Sequence, residues 1–321
     1  MHTFLGLDFG GTKLLIGEVD SEGQILAHKR YTTGYVNQQA AVDIIKSSLG
    51  DYLRTVGTAD RMPSAVGIGM IGRVDTRSGR WLQIDLDRNR PIELAREIYD
   101  SFGLPCYLAN DVKSATMAEQ CWGYGRRSDN FVYINVGTGI AAGTVVDGRL
   151  VTGSHFNAGE VGHTQVGVST GVKCGCGRTD CVEAIASGIG FDYCARLLAP
   201  RYPDTRLELD SLVGRVDVRD IYRLAREGDS LCTVLVDNAA QGIANLIMNM
   251  VRMSDPDTVV LGGGIVSDPW MFSKITALLH PGTMRFVTNG VVITELNPAY
   301  IGLLGAAAVA KTFNTVIPAE V

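Results

Sequence analysis

Two strand–turn–strand units in distant parts of the chain constrain the fold more than any other feature of the sequence. The first unit turns at Gly10-Gly11, and the second turns at Gly137-Thr138-Gly139. The flanking strands are predicted over residues 4–9 and 14–19 in the first unit and over 131–136 and 141–146 in the second. Further strand and helix patterns follow each unit. The repetition is one of structure rather than of sequence, and it predicts two related α/β lobes whose hairpins face a shared cleft.

The length of 321 residues also favours two domains. We expect a small N-terminal lobe over residues 1–111, completed by a C-terminal helix at about 300–321 that packs back on it. The larger lobe is expected over residues 112–299 and contains a cysteine-rich loop. No low-complexity linker separates the two.

Composition excludes several classes of function. Hydrophobic residues make up 46% of the chain and charged residues 20%, which suits a compact protein with a large core. The net charge of −5 gives no general attraction to nucleic acid or to an anionic membrane, so neither is expected as a partner. No stretch looks long and apolar enough to span a membrane, and the N-terminus lacks a signal-peptide pattern. We therefore expect a cytoplasmic protein whose cysteines are thiols or metal ligands.

The first hairpin loop has the chemistry of a phosphate site. Adjacent glycines let the backbone of Gly10 and Gly11 approach a polyanion, and their amides and the Thr12 hydroxyl can donate to phosphate oxygens. Asp8, at the end of the strand, can hold Mg²⁺ or its water. The alternative is a tight hairpin turn without a ligand. The loop matches neither a Walker A sequence nor a dinucleotide fingerprint.

Two further glycine segments extend this hypothesis. The loop Gly137-Thr138-Gly139 is a weak signal alone, but it occupies the corresponding place in the second unit, and each loop is predicted to hold one side of a triphosphate. Gly262-Gly263-Gly264 follows a strand and precedes a helix, where it suits either an adenosine group or the phosphates of the nucleotide.

The pair Asn110-Asp111 lies at the end of a short predicted strand, just before a helical pattern. An aspartate there can take the proton from a hydroxyl group that attacks a γ-phosphate. The alternative is a helix N-cap, which local evidence alone favours for Asp111. Both interpretations hold together if Asn110 orients the substrate and Asp111 is the base.

A histidine and three cysteines form the most specific cluster in the sequence. His163 precedes Cys174, Cys176 and Cys181 within a short glycine-rich segment, which matches a Cys₃His zinc site with no open ligand position. A disulfide with one remaining thiol is the alternative, and a reducing cytoplasm disfavours it. The predicted zinc is structural, and it can orient His163 toward a substrate hydroxyl. Glu160 and Glu183 flank the cluster and complete a candidate polyol site.

Taken together, these motifs resemble the ROK family of repressors, open reading frames and sugar kinases nearly from end to end. Asp8–Lys13 resembles its N-terminal phosphate motif, and residues 67–75, with Gly72, resemble its substrate-side loop. Asn110 and Asp111 match its sugar-binding asparagine and catalytic aspartate. The remaining matches are the second phosphate motif at 137–140, the sugar-contacting Glu160, His163 and Glu183, and the zinc motif at 174–181.

Some positions depart from the family pattern. Ile71 stands where proline is usual, Asp180 where glycine is usual, and Ala141-Ala142 where glycines are common. The segment Trp81–Arg90 differs from the usual sugar-binding loop, with Asn89 as a candidate for its asparagine. Residues 176–188 are most similar to bacterial N-acetylmannosamine kinases.

The resemblance implies an actin-like, ribonuclease H-like ATPase fold of two lobes. It also implies a homodimer that transfers phosphate from MgATP to a sugar, most simply to the 6-hydroxyl of a hexose or N-acetylhexosamine, with Asp111 as base. One alternative is a sugar-sensing regulator of the same family, although the seven residues before Asp8 leave no room for its DNA-binding domain. Another is an actin-like or chaperone-type ATPase, a class that lacks the Cys₃His cluster.

Overall fold

A computed structural model describes residues 2–34, 37–58, 62–85, 87–209 and 214–316. The chain divides into two compact units. The first comprises Met1–Arg127, Leu150–Ala158 and Glu295–Val321, and the second comprises Ser128–Arg149 and Gly159–Thr294.

Both units combine strands and helices. In chain order, the strands of the described residues are β1 Thr3–Phe9, β2 Lys13–Asp20, β3 Ile25–Thr32, β4 Val66–Met70, β5 Arg73–Asp75, β6 Arg80–Gln83, β7 Cys106–Asn110, β8 Phe131–Val136, β9 Ile140–Val146, β10 Arg149–Leu150, β11 Thr258–Gly262 and β12 Gly290–Ile293. The helices are α1 Gln38–Thr55, α2 Leu94–Phe102, α3 Asp111–Trp122, α4 Val182–Ala186, α5 Gly188–Leu198, α6 Val218–Arg226, α7 Ser230–Ser254, α8 Pro269–Ala277, α9 Pro281–Met284 and α10 Ile301–Val316.

The sheet of the first unit has the order β3-β2-β1-β4-β7. Strands β1, β2 and β3 form an antiparallel meander, and β4 and β7 add to it in parallel with β1. The Gly10 amide donates to the Lys13 carbonyl at 2.9 Å and closes the β1–β2 hairpin. Parallel strands end at the same edge of a sheet, so the ends of β1 and β7 place Asp8 and Asn110 near that edge.

Helix α10 packs on this sheet at unusually short range. A side chain at Gly67 on β4 would overlap with the carbonyl of Ala306, and one at Gly6 on β1 would overlap with that of Leu303. Glycine is therefore required on the strands because the helix backbone occupies the space of a Cβ. The alanine-rich face of α10 is buried, which closes the core on this side of the sheet.

A second apolar cluster joins the sheet of the first unit to α1 and α2. Ile45, Leu49 and Tyr52 from α1 are fully buried in it, together with Trp81 from β6. Asn37 caps α1 by accepting from the amide of Ala40 at 2.9 Å.

The sheet of the second unit has the order β10-β9-β8-β11-β12, which repeats the arrangement of the first sheet strand for strand. Strands β8 and β9 are antiparallel, and β11 and β12 continue in parallel with β8. The structural duplication predicted from the two hairpins is therefore confirmed.

Helix α7 forms the apolar centre of the second unit. By length and composition alone it could cross a membrane, so the expectation that no such stretch exists is wrong. Most of its apolar window is buried, with Leu235, Ile243 and Ile247 in the core, as in the central helix of a globular domain.

Two predicted helices differ from the structure in their boundaries. One helix was expected over 182–198, but Ser187 separates α4 from α5 and caps α5 by accepting from the Gly190 amide at 3.0 Å. A helix was expected from Pro91, but Ile92 pairs with Trp81 in an extended bridge, so α2 begins at Leu94.

The first unit continues past the predicted division at Asp111 because α3 packs against α10. The predicted division of the chain into lobes, 1–111 with about 300–321 and 112–299, stays a prediction. The closing helix is present as α10, and residues 317–321 of the predicted helix lie outside the described residues.

We predict that Gly67→Ala lowers the melting temperature by at least about 5 °C, because the added methyl group meets the backbone of α10. Gly50→Ala is the matched control. In α1 the nearest atom to the new methyl group is on the Phe102 ring at 3.7 Å, and alanine is the better helix former. Thermal unfolding of both variants checks the prediction, and equal melting temperatures would contradict it.

Candidate functional site

The residues singled out in the sequence are divided between the two units. The first unit contains Asp8, Gly10, Gly11, Thr12, Lys13, Gly72, Asn110 and Asp111. The second unit contains Gly137, Thr138, Gly139, Glu160, His163, Cys174, Cys176, Cys181, Glu183, Gly262, Gly263 and Gly264.

The turn of the first hairpin contains glycines that the fold itself does not require. A Cβ at Gly11 would meet no described atom within 4 Å, and one at Gly10 would make only ordinary contacts with Lys13, the nearest at 3.6 Å. Glycine costs backbone entropy on folding, so two of them without a steric reason indicate space kept for a ligand. The Gly10 amide is used in the hairpin, so the predicted donation to phosphate rests on the Gly11 amide and the Thr12 hydroxyl.

Asp8 lies half-buried against the start of α10. A side chain at Gly302 would overlap with its carboxylate. Burial raises the pKa of Asp8, and the charge of Lys13 partly opposes the rise. A carboxylate that burial has deprived of water is stabilised by a bound cation, which agrees with the predicted magnesium contact.

Asn110, rather than Asp111, is the N-cap of α3. Its side-chain oxygen accepts from the amides of Val112 at 3.1 Å and Lys113 at 3.3 Å. Asp111 is the first helical residue, and its carboxylate accepts from the Val112 amide at 2.9 Å. The local interpretation of Asp111 as the cap is therefore wrong, because the helix begins one residue earlier than that interpretation requires.

The amide group of Asn110 also fixes the substrate-side loop. Its nitrogen donates to the Gly72 carbonyl at 3.0 Å. Gly72 has φ +83°, and a side chain there would overlap with the Gln83 carbonyl. Gly72 thus has a clear structural reason to be glycine, and it links Asn110 to the unusual segment that follows Trp81.

That segment is folded on itself. Trp81 is fully buried, and its indole N–H donates to the Ile71 carbonyl at 3.1 Å. Asp85 holds Arg88 through a side-chain pair, and the Ile84 amide donates to the Arg88 carbonyl at 2.7 Å. Asn89 is exposed, and Leu86 lies outside the described residues.

The second hairpin turn is held by hydrogen bonds that the sequence did not predict. The amide of Gly188 donates to the Gly137 carbonyl at 2.8 Å, and that of Ile189 to the Thr138 carbonyl at 3.3 Å. Glu183 accepts from the amide of Ile140 at 2.9 Å. Helices α4 and α5 therefore hold this turn in place, and Glu183 has a structural partner in addition to its predicted role.

The three glycines at the end of β11 serve different purposes. A side chain at Gly262 would overlap with the Tyr133 ring. Gly263 has φ +95° and no space beside the Val136 carbonyl. A Cβ at Gly264 would meet no described atom within 4 Å, so it alone of the three leaves room for a ligand.

The four predicted metal ligands come together in the second unit. The ligand atoms of His163, Cys174, Cys176 and Cys181 all lie within 4.8 Å of one another. The Cys174 sulfur is 3.5 Å from His163 Nδ1, and the sulfurs of Cys176 and Cys181 are 3.6 Å apart. Zinc–sulfur bonds of about 2.3 Å place tetrahedral ligands at about 3.8 Å, so the set fits one zinc ion.

The environment of the three thiols shifts their pKa values in different directions. Burial raises the pKa of Cys181 to about 12 and also raises the pKa of Cys174. The backbone amide of Arg178 lowers the pKa of the exposed Cys176. Two buried thiols with raised pKa values become thiolates only beside a positive charge, which a divalent metal supplies.

His163 connects this cluster to the candidate polyol site. It ends a short 3-10 turn, Val161–His163, and its amide donates to the carbonyl of the exposed Glu160 at 3.2 Å. Its Nδ1 faces Cys174 and also lies 3.9 Å from a carboxylate oxygen of Glu183. Glu183 thus stands between the metal cluster and the second hairpin turn.

Lys113 is a residue near the candidate site that sequence reasoning missed. It is 5% exposed, and its ammonium group donates to the Phe156 carbonyl at 2.6 Å. A lysine in the first turn of a helix is unfavourable next to the helix dipole, and that was the available signal.

Comparison with known proteins gives a family match. A model described as the ROK family matches residues 4–313. A glucokinase of Thermotoga maritima is 28% identical, and the match covers 96% of each chain. An N-acetylmannosamine kinase of Citrobacter koseri is 32% identical over 96% of this chain and 98% of its own.

Solved structures are similar over the same length. A ROK hexokinase from Thermus thermophilus has a TM-score of 0.78 and 27% identity, covering 98% of this chain and 100% of its own. A ROK family glucokinase from Streptomyces griseus, in complex with glucose and AMPPNP, has a TM-score of 0.75 and 28% identity, covering 97% and 99%.

We predict that Asn110→Ala lowers the melting temperature by about 2–4 °C, because α3 loses its cap. Asp111→Asn should change it by less than half as much, since an asparagine at the first helical position still accepts hydrogen bonds. Thermal unfolding of the two purified variants makes the comparison. A larger loss in Asp111→Asn would identify Asp111 as the main cap.

Proposed function

Because the chain belongs to the ROK family, we propose that Asp111 is the general base of an ATP-dependent sugar kinase. The relatives named glucokinase and N-acetylmannosamine kinase indicate ATP-dependent sugar phosphorylation, which is the predicted activity. The structural matches confirm the predicted fold class, α/β of the two-lobed actin-like ATPase type. The regulator alternative has less support, since the named relatives are kinases.

The assignment of the base is supported by the different positions of Asn110 and Asp111 at the start of α3. Asn110 caps α3 and holds the Gly72 carbonyl, so its amide group is fixed at both ends. Because Asn110 is the N-cap, Asp111 is the first helical residue, where its carboxylate accepts from the Val112 amide. A carboxylate placed by a rigid helix start is suited to proton transfer.

In the proposed reaction, Asp111 takes up the proton that the sugar hydroxyl loses. The sugar hydroxyl gives its proton to the Asp111 carboxylate as its oxygen bonds to the γ-phosphorus of ATP. The bond from that phosphorus to the bridging oxygen breaks, and MgADP leaves. Charge neutralisation and positioning supply most of the rate enhancement in phosphoryl transfer, so the base need not be strong.

The nucleotide contacts are assigned to the two hairpin turns and to the glycines after β11. The turn of the first hairpin offers open space at Gly11, with Asp8 as the contact for Mg²⁺. Gly264 offers similar space in the second unit. The proposed nucleotide-binding set is Asp8, Gly10, Gly11, Thr12, Lys13, Gly137, Thr138, Gly139, Gly262, Gly263 and Gly264.

A structural zinc ion is proposed for the Cys₃His cluster. Bound there, zinc would supply the positive charge that keeps the three thiols deprotonated. His163 Nδ1 faces the sulfur of Cys174, so the imidazole would turn its Nε2 toward a substrate hydroxyl. The cluster would then act on catalysis only by fixing the orientation of His163.

The acceptor is proposed to be a hexose or N-acetylhexosamine, phosphorylated at its 6-hydroxyl. Asn110, Glu160, His163 and Glu183 are assigned to the ring hydroxyls, and Gly72 to the substrate-side loop. Both classes of acceptor appear in the names of the relatives. Asp85 and Arg88 pair with each other in the segment after Trp81, and we assign this segment a role in selecting the sugar. We further propose that the protein is a cytoplasmic homodimer.

We predict that Asp111→Asn lowers the kcat for sugar phosphorylation by roughly 10²- to 10⁴-fold, since no group then accepts the proton. A coupled kinase assay over hexoses and N-acetylhexosamines measures both proteins. Asp100→Asn, at an exposed position on α2 paired with Arg96, is the control and should keep full activity. An Asp111→Asn variant with wild-type kcat would disprove the base assignment.

We predict that the purified protein contains about one zinc ion per chain. Cys181→Ser should lose most of it, because a serine hydroxyl is a poor zinc ligand. Cys121→Ser, outside the cluster and 3.9 Å from the Thr312 hydroxyl, should keep it. Elemental analysis of protein dialysed against metal-free buffer measures the content. Equal zinc in both variants, or none in the wild type, would remove the proposed site.

A further inference from the structure

Lys113 is a buried cation in an unfavourable place. It is the third residue of α3, where the helix dipole is positive, and only 5% of it is exposed. Both the dipole and the loss of water disfavour its charge. Its ammonium group donates at 2.6 Å to the backbone carbonyl of Phe156, 43 residues further along the chain.

The partner of Lys113 lies in a loop with a strained backbone. Phe156 has φ +58°, a left-handed conformation that is rare for a bulky residue. Gly153 at φ +77° and Gly159 at φ +99° adopt positive φ in the same loop without such a penalty. The guanidinium of Arg77 lies 5.7 Å from the centre of the Phe156 ring. Phe156 is thus contacted by side chains from two other segments, and backbone strain of this kind is concentrated at functional sites.

Lys113 joins the start of α3 to the loop that contains Phe156, and each of these two segments lies within a few residues of a member of the proposed site. Asp111 is two residues before Lys113, and Glu160 is four residues after Phe156. We propose that Lys113 is a positioning residue for sugar binding, which acts by holding Phe156 in its left-handed conformation. This inference rests on the proposed kinase function. It adds a specific contact that prepares the loop before Glu160 for the sugar.

A second lysine of the first unit provides a matched control. Lys311 also donates from its ammonium group to a backbone carbonyl, that of Ser21, at 2.7 Å. It lies over the Trp122 ring at 5.2 Å from the ring centre. None of these contacts involves a residue assigned to the site. A substitution of Lys311 therefore measures the general cost of losing a hydrogen bond from a lysine to a backbone carbonyl.

The test compares Lys113→Met with Lys311→Met by calorimetric titration of sugar and, separately, of MgADP. Lys113→Met should weaken sugar binding by roughly tenfold, because the loop before Glu160 must then be ordered at the moment the sugar binds. Its affinity for MgADP and its melting temperature should stay near the wild-type values, because a buried methionine replaces a buried charge. Lys311→Met should leave sugar affinity unchanged.

A second substitution tests whether the effect passes through Phe156. Phe156→Gly removes the penalty for positive φ, so the loop needs less support. In that background, Lys113→Met should weaken sugar binding by less than about threefold. If Lys113→Met does not fold, Lys113→Gln is judged by the same criteria.

The outcomes separate the two levels of inference. A wild-type protein that binds none of the hexoses or N-acetylhexosamines overturns the proposed function. Wild-type binding with equal affinity in Lys113→Met overturns the positioning role alone. A parallel loss of sugar affinity, nucleotide affinity and melting temperature also overturns it, because that pattern describes a general structural defect.

Discussion

The contact between α10 and the glycines of β1 and β4 is the constraint on which the first unit depends. Gly6 and Gly67 have no side chains because the backbone of the helix takes their place. On the other side of α10, Gly305 meets the backbone of α3 at similarly short range. The helix thereby sets the position of α3 relative to the sheet, and with it the relation between the ends of β1 and β7. Asp8 and Asp111 derive their places from this packing.

In the second unit the corresponding constraint is polar. Glu183 accepts from the amide of Ile140 and faces His163 Nδ1, so one carboxylate connects the second hairpin turn with the metal cluster. Helix α5 adds two backbone hydrogen bonds to the same turn through Gly188 and Ile189. The carboxylate of Glu183 therefore lies next to both the second hairpin turn and a predicted metal ligand.

Much of the fold was predictable because its signals are local. Hairpins with glycine turns, the short strand before Asn110 and the apolar helices appear close to their predicted bounds. The errors fall where a distant partner decides. Ile92 stays extended because it pairs with Trp81, and the helix predicted over 182–198 breaks where Ser187 caps a new one. The apolar length of α7 reflects its burial in the core, which composition alone does not distinguish from a membrane span.

The sequence by itself determined the chemical inventory of the protein: two hairpin turns with glycines, the Asn110-Asp111 pair, and one histidine with three cysteines spaced for a metal. Only the tertiary structure decided which of these residues support the others. In the folded chain Asn110 is the N-cap of α3, Glu183 accepts a hydrogen bond from the Ile140 amide, and Lys113 donates one to the Phe156 carbonyl. The last two contacts each join residues 43 positions apart. Spacing along a chain encodes turns and short helices, whereas partners at that distance are selected by how whole elements pack.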